Sequence, residues 1–189
     1  MVVETHQFQN GLRLVYEKSK NKLPLSTIFL FCDLGSLYEK DEDIRGVSHF
    51  IEHMCFKGTK RILNTKDVFK EFDKSGSIFN AATNKQYTNY YIECLSDDLS
   101  IYFKILSDIL MNSVFAKKEF YKEYKVVIEE NMKNIDNKEY MLDNEVNRLI
   151  YNGCLLENPI DTIEFHTKNH IYDYQKVLDA IIKRYEEHI

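Results

Sequence analysis

Gly46-Val47-Ser48-His49-Phe50-Ile51-Glu52-His53-Met54-Cys55-Phe56-Lys57-Gly58 is the stretch on which the reading of this 189-residue chain turns. From Glu42 to Lys57 the apolar residues Ile44, Val47, Ile51 and Met54 recur three or four apart. That is the period of a helix with one buried face, and Gly58 stands where a helix ends. At about 100° per residue, His49, Glu52 and His53 share one face of this helix. The helix is otherwise apolar at positions 47, 50, 51, 54 and 56, so the His-Glu-His face lies at or near the buried side. Imidazoles and a carboxylate buried without partners are costly. A metal ion removes that cost. Zinc takes two neutral histidines at i and i+4, a third protein ligand from elsewhere and a water in the fourth position. The zinc-bound water then has a pKa near about 7, and Glu52 is the carboxylate placed to take its proton. The competing reading is a surface helix carrying two unrelated histidines. With six histidines in the chain, chance matches to H-x-x-E-H are uncommon but real.

A third ligand is available on a later helix. Glu123 and Glu130 are seven residues apart, two turns, and so stack on one face among Phe120, Val126, Val127 and Ile128. Glu129 lies about 100° around from Glu130 and fits an ordinary solvated position. Spacing leaves the choice between Glu129 and Glu130 open.

Working outward, the first third reads as strands: Thr5 to Gln9, a turn at Asn10-Gly11, Arg13 to Glu17, and Ser26 to Leu34. A short helix is expected from Thr65, as N-cap, through Val68, Phe69 and Phe72 to Gly76. Ser77 to Thr83 and Tyr87 to Leu95 form a second strand pair. From Asp97 the period is helical, first along Leu99, Tyr102, Phe103, Leu106, Ile109 and Leu110, then over Phe120 to Met132. Weaker helical patterns cover Met141 to Tyr151 and Tyr172 to Glu187. No repeat or Pro/Gly linker divides the chain. Strands followed by helices predict an α+β fold, with helices stacked on one face of a mainly antiparallel sheet.

Composition bounds the partners. The chain is 44% hydrophobic and 29% charged with net charge −5, so nucleic acid and anionic membrane, which need basic surface, are set aside. No apolar run approaches the roughly 20 residues of a membrane span. The start, Met1 to His6, has neither a secretory nor a transit signature, and a cytoplasmic location is expected. Four cysteines without a C-x-x-C pair read as reduced thiols. Cys55 points about 200° from His53 and reads as core. His6, His166, His170 and His188 have no partner spacing and read as surface or packing residues.

The motif His49-Phe50-Ile51-Glu52-His53-Met54-Cys55-Phe56-Lys57-Gly58-Thr59, with Gly35-Ser36-Leu37-Tyr38-Glu39 and Gly46-Val47-Ser48 before it, resembles the inverzincin zinc peptidases typified by pitrilysin, insulin-degrading enzyme and the mitochondrial processing peptidase. Asn10-Gly11-Leu12-Arg13, Phe79-Asn80-Ala81-Ala82-Thr83 and Thr88-Asn89-Tyr90-Tyr91 also resemble family segments. In that family the third ligand is a glutamate after 76 intervening residues, and counting from His53 lands on Glu130. The resemblance implies one zinc per chain on His49, His53 and Glu130, Glu52 as the base, and Glu123 supporting the site from behind a ligand. It implies Asn80 and Ala81 as contacts of an extended peptide substrate added to the sheet edge. It also implies the fold of the LuxS/processing-peptidase-like metallohydrolase half, and a single catalytic domain over residues 1–189 that stops short of the family's C-terminal strands. A homologous C-terminal-half subunit or a second copy is then the expected partner. The rival expectation is a non-catalytic subunit that binds a partner chain or peptide on the same fold.

Overall fold

Alternating and β-branched residues in the first third do form strands in a computed structural model of the chain, which describes residues 2–20, 23–40, 45–160, 174, 175, 178 and 179. Strands β1 (Val3–Gln7) and β2 (Arg13–Glu17) pair antiparallel with Val3 opposite Glu17. The turn is wider than Asn10-Gly11 alone. Phe8 N–H donates to Leu12 O at 2.8 Å and Gly11 N–H to Phe8 O at 3.0 Å, so Phe8 and Gln9 leave the strand expected to reach Gln9. Gly11 takes φ +89°, which glycine adopts without strain.

Strands β3 (Leu25–Cys32), β4 (Ile78–Thr83) and β5 (Thr88–Leu95) form a separate antiparallel sheet in the order β3-β5-β4. Leu25 faces Leu95 across one pairing and Thr83 faces Thr88 across the other. Alternation sets two faces. Ile28, Cys32, Tyr90, Ile92 and Cys94 are buried beneath the helices. On the opposite face Phe29 and Phe31 are exposed and stack at 6.1 Å, with Tyr91 5.4 Å from Phe29. Helices on one face of an antiparallel sheet is the expected α+β arrangement, although the β1–β2 hairpin stands as its own ribbon among the described residues.

Helix α1 is Val47–Cys55. It begins later than Glu42 because Gly46 turns left-handed, φ 80°, and interrupts the helical path that the apolar period suggests. Helix α2 is Thr65–Asp73, capped not by Thr65 but by Asn64, whose Oδ1 accepts from Asp67 N–H at 3.0 Å. Helices α3 (Leu99–Met111), α4 (Lys117–Ile135) and α5 (Lys138–Ile150) follow. The helix expected over Tyr172 to Glu187 lies largely outside the described residues. Within it, 174, 175, 178 and 179 are helical.

The core is aromatic where α1 and α2 meet the sheet and where α4 meets α1. Phe72 stacks on Phe79 at 4.0 Å, and Phe50 meets Phe120 edge-on at 4.8 Å. Phe50, Met54, Cys55, Val68, Phe72, Ile92 and Ile109 are fully buried. Cys55 is therefore core, as its angle from His53 suggests. After α1 the chain is locked by Thr59, whose hydroxyl donates to Asp108 Oδ2 at 2.6 Å and accepts from Ile62 N–H at 2.9 Å. Among the described residues no helix is long and apolar enough to cross a membrane.

Candidate metal centre

Helix α1 packs against α4 on one side and β4 on the other. Its buried face, Val47, Phe50, Ile51 and Met54, holds it in the core, so the polar face bearing His49, Glu52 and His53 opens into a cavity of about 600 Å³. Glu123 and Glu130 enter that cavity from α4, and Asn80, Ala81 and Thr83 from β4.

His49 Nε2 and His53 Nε2 lie 3.1 Å apart, and Glu130 Oε2 is 3.4 Å from His53 Nε2. The three side chains are grouped with ligand atoms all within 4.8 Å of one another. Tetrahedral zinc with bonds of about 2.0–2.1 Å places neighbouring ligand atoms about 3.3–3.4 Å apart, close to both distances from His53 Nε2. Glu129, on the neighbouring position, is exposed and stands outside this group.

Glu123 is buried and sits behind His53, with Oε1 2.9 Å from Nδ1. Its other oxygen accepts from Lys57 Nζ at 2.6 Å. Burial pushes the Glu123 carboxyl up, but the hydrogen bonds from His53 and Lys57, with their charges, outweigh it and hold the group below the ordinary carboxylate range. An ionised carboxylate only accepts. With its Nδ1 turned to Glu123, His53 presents Nε2 to His49 and Glu130, the nitrogen through which it would bind a metal.

Glu52 is nearly buried, 9% exposed, and its Oε2 accepts from Thr83 Oγ1 at 2.6 Å. Thr88 donates to Leu34 O at 2.9 Å and Thr83 to Glu52, so each hydroxyl spends its one hydrogen there and the 3.2 Å contact of the two threonines holds none. Asn80 and Ala81 lie on β4, whose far edge carries no partner strand among the described residues. Asn80 Oδ1 accepts from Ala81 N–H at 2.9 Å.

The sequence reading named His49, Glu52, His53, Glu123, Glu130, Asn80 and Ala81, and all seven line this cavity. It did not single out Lys57 or Thr83. Lys57 lies four positions after His53, one turn on, which was a usable signal. Thr83 meets Glu52 only through the β4–α1 packing. Val126, expected in the apolar stripe of α4, is 47% exposed. His6 sits on β1 against Phe8, ring centroids 4.6 Å apart, away from the cavity, and His166, His170 and His188 lie outside the described residues.

Residues 13–162 match the family described as insulinase, peptidase family M16. An uncharacterized zinc protease of Rickettsia felis is 37% identical over 151 residues, covering 78% of this chain and 36% of that protein. The mitochondrial-processing peptidase subunit beta of Caenorhabditis elegans is 33% identical over 169 residues, covering 87% of this chain and 36% of its own. The chain thus spans about a third of the length of these relatives. In fold it is similar to a protease from Helicobacter pylori, with TM-score 0.82 and 24% identity, covering 93% of this chain and 42% of that one. It is also similar to a peptidase M16 inactive domain from Pseudomonas fluorescens, with TM-score 0.79 and 14% identity, covering 94% and 43%. With its matched segment reaching from β2 past α5, the chain belongs to the insulinase family of peptidases, M16.

Proposed function

We propose that this chain is a zinc-dependent endopeptidase module that hydrolyses peptides or unfolded polypeptides. The observation that carries the proposal is the convergence of His49 Nε2, His53 Nε2 and Glu130 Oε2 beside the Glu52 carboxylate. His49, His53 and Glu130 hold the metal. Zinc there supplies a Lewis acid for a peptide carbonyl and lowers the pKa of a water. Glu52, oriented by the Thr83 hydroxyl, takes the proton from the attacking water and later delivers it to the leaving amine. Glu123 fixes the His53 tautomer and ring direction. An extended peptide pairs with the free edge of β4, and Asn80 and Ala81 orient it beside Glu52. Relatives of which this chain covers only about a third support a homologous C-terminal-half partner, or a second copy, that closes the cavity.

Elemental analysis should find about one zinc per wild-type chain and little in His49→Ala; equal contents refute the ligand assignment. Glu52→Gln should retain zinc and lose nearly all peptide cleavage, assayed with the chain alone and with a homologous half. Retained turnover places the base elsewhere. The likeness in fold to an inactive M16 domain favours a second reading, a subunit that binds peptide without cutting it. Zinc and peptide binding without cleavage in either assay selects that reading.

A further inference from the structure

His49 occupies a precarious place. It is the third residue of a nine-residue helix, in the first turn, where backbone N–H groups have no intrahelical acceptor and fraying begins. The helix has no cap of its own, because Gly46 at the N-cap offers no side chain. The acceptor comes from seven residues earlier. Glu39 is 1% exposed, and its carboxylate takes Gly46 N–H on Oε2 at 2.6 Å and Ser48 N–H on Oε1 at 2.8 Å. A carboxylate at a helix N-terminus is also favoured by the helix dipole.

The segment presenting Glu39 is itself held. Leu37 N–H donates to Lys85 O at 2.8 Å, in the turn joining β4 to β5. Gly35 lies so close to that turn that an added Cβ would come within 2.5 Å of the carbonyl oxygens of Asn84 and Lys85. One end of α1 is thereby referenced to the turn that also ends β4, the strand bearing Asn80, Ala81 and Thr83.

We propose that Glu39 is a positioning residue for the metal centre: it caps α1 from outside the helix and holds the first-turn ligand His49 in register with His53. The inference rests on the metal reading above. It assigns no contact between Glu39 and metal or substrate; Glu39 acts through the backbone of Gly46 and Ser48.

The test measures Zn²⁺ affinity of the full chain by competition with a chromophoric chelator, for wild type, Glu39→Ala, Glu39→Gln and Asn64→Ala. Asn64→Ala removes the cap of α2, a helix that offers no ligand, and controls for a general loss of stability. Glu39→Ala should weaken zinc binding at least about tenfold, with Glu39→Gln, which keeps one acceptor, between it and wild type. Asn64→Ala should stay within about twofold. Both Glu39 variants binding like wild type, or Asn64→Ala losing as much as Glu39→Ala, overturns the proposal. A wild type that takes up no zinc refutes the metal reading alone. Hydrogen exchange of the zinc-free chain then decides the positioning role. Ser48 and Phe50 amides should exchange at least about tenfold faster in Glu39→Gln, while Leu106 and Ile109 amides in α3 are unchanged. Equal protection at Ser48 and Phe50 overturns it. If Glu39→Ala does not fold, the near-isosteric Glu39→Gln carries both measurements.

Discussion

Replacing Thr83 by Val removes one oxygen and keeps the branched shape, so it isolates the 2.6 Å hydrogen bond to Glu52 Oε2. Hydrogen bonds to charged groups contribute about 1.5–3 kcal/mol. Glu52 is only 9% exposed, so water replaces the lost donor poorly, and the expected loss of stability is about 2 kcal/mol. With a urea slope of about 2 kcal/mol per molar, the unfolding midpoint should fall by about 1 M. Thr83→Ser keeps the hydroxyl and should recover most of this. In the peptidase assay Thr83→Val should lower kcat/KM about tenfold, through kcat more than KM, because the base loses its orientation while the peptide edge of β4 stays intact. Glu52→Gln tests the coupling: on that background Thr83→Val should cost much less, since the acceptor is no longer a carboxylate. A midpoint within about 0.2 M of wild type, with kcat/KM unchanged, would refute the claim that Thr83 holds Glu52.

Lys57→Met should destabilise the fold by about 2 kcal/mol, because it strips a cation from the buried carboxylate of Glu123. Burial alone would raise Glu123, and the His53 and Lys57 bonds hold it low, so this stabilisation is present above the ordinary carboxylate range and is lost as pH falls through the depressed native value; urea midpoints of wild type and variant should converge in acid. Gly35→Ala forces a Cβ against two backbone carbonyls at 2.5 Å and should cost about 1–3 kcal/mol, read by thermal unfolding. Alkylation of the folded chain at neutral pH should mark exposed Cys154 and spare buried Cys32, Cys55 and Cys94. Burial, with Cys55 and Asp33 nearby, pushes the Cys32 thiol up to about 12, and mass mapping of labelled peptides checks this.

How much of this was legible in the sequence follows the range of the interactions. Helix α1 could be read because Val47, Ile51 and Met54 repeat with a local period. Its start could not, because Ile44 continues that period past a backbone break that only the φ of Gly46 reveals. Asn64 and Thr65 are both good caps, and the choice between them depends on which side chain reaches Asp67 N–H. The H-x-x-E-H face is local and was plain. Glu130 needed the family distance, since its approach to His53 crosses from α4 to α1. Thr83 and the capping role of Glu39 rest on contacts between segments 31 and 7 to 9 residues apart, which periodicity does not encode. The run from Ser26 to Leu34 reads as a strand rich in β-branched and aromatic residues, without showing that Phe29 and Phe31 stand on the open face of the sheet.

The two sides of β4 have a consequence for what sequences such a site would tell apart. Phe79 and Ala81 turn toward the helices, with Phe79 against Phe69 and Phe72, while Ile78 and Asn80 turn outward. A peptide laid along the free edge inherits this alternation, since its own side chains also point to opposite faces in turn. Every second residue would meet aromatic walls and the others open solvent. Discrimination would then be sparse and regular, tasting a substrate at alternate letters and tolerating almost anything between them.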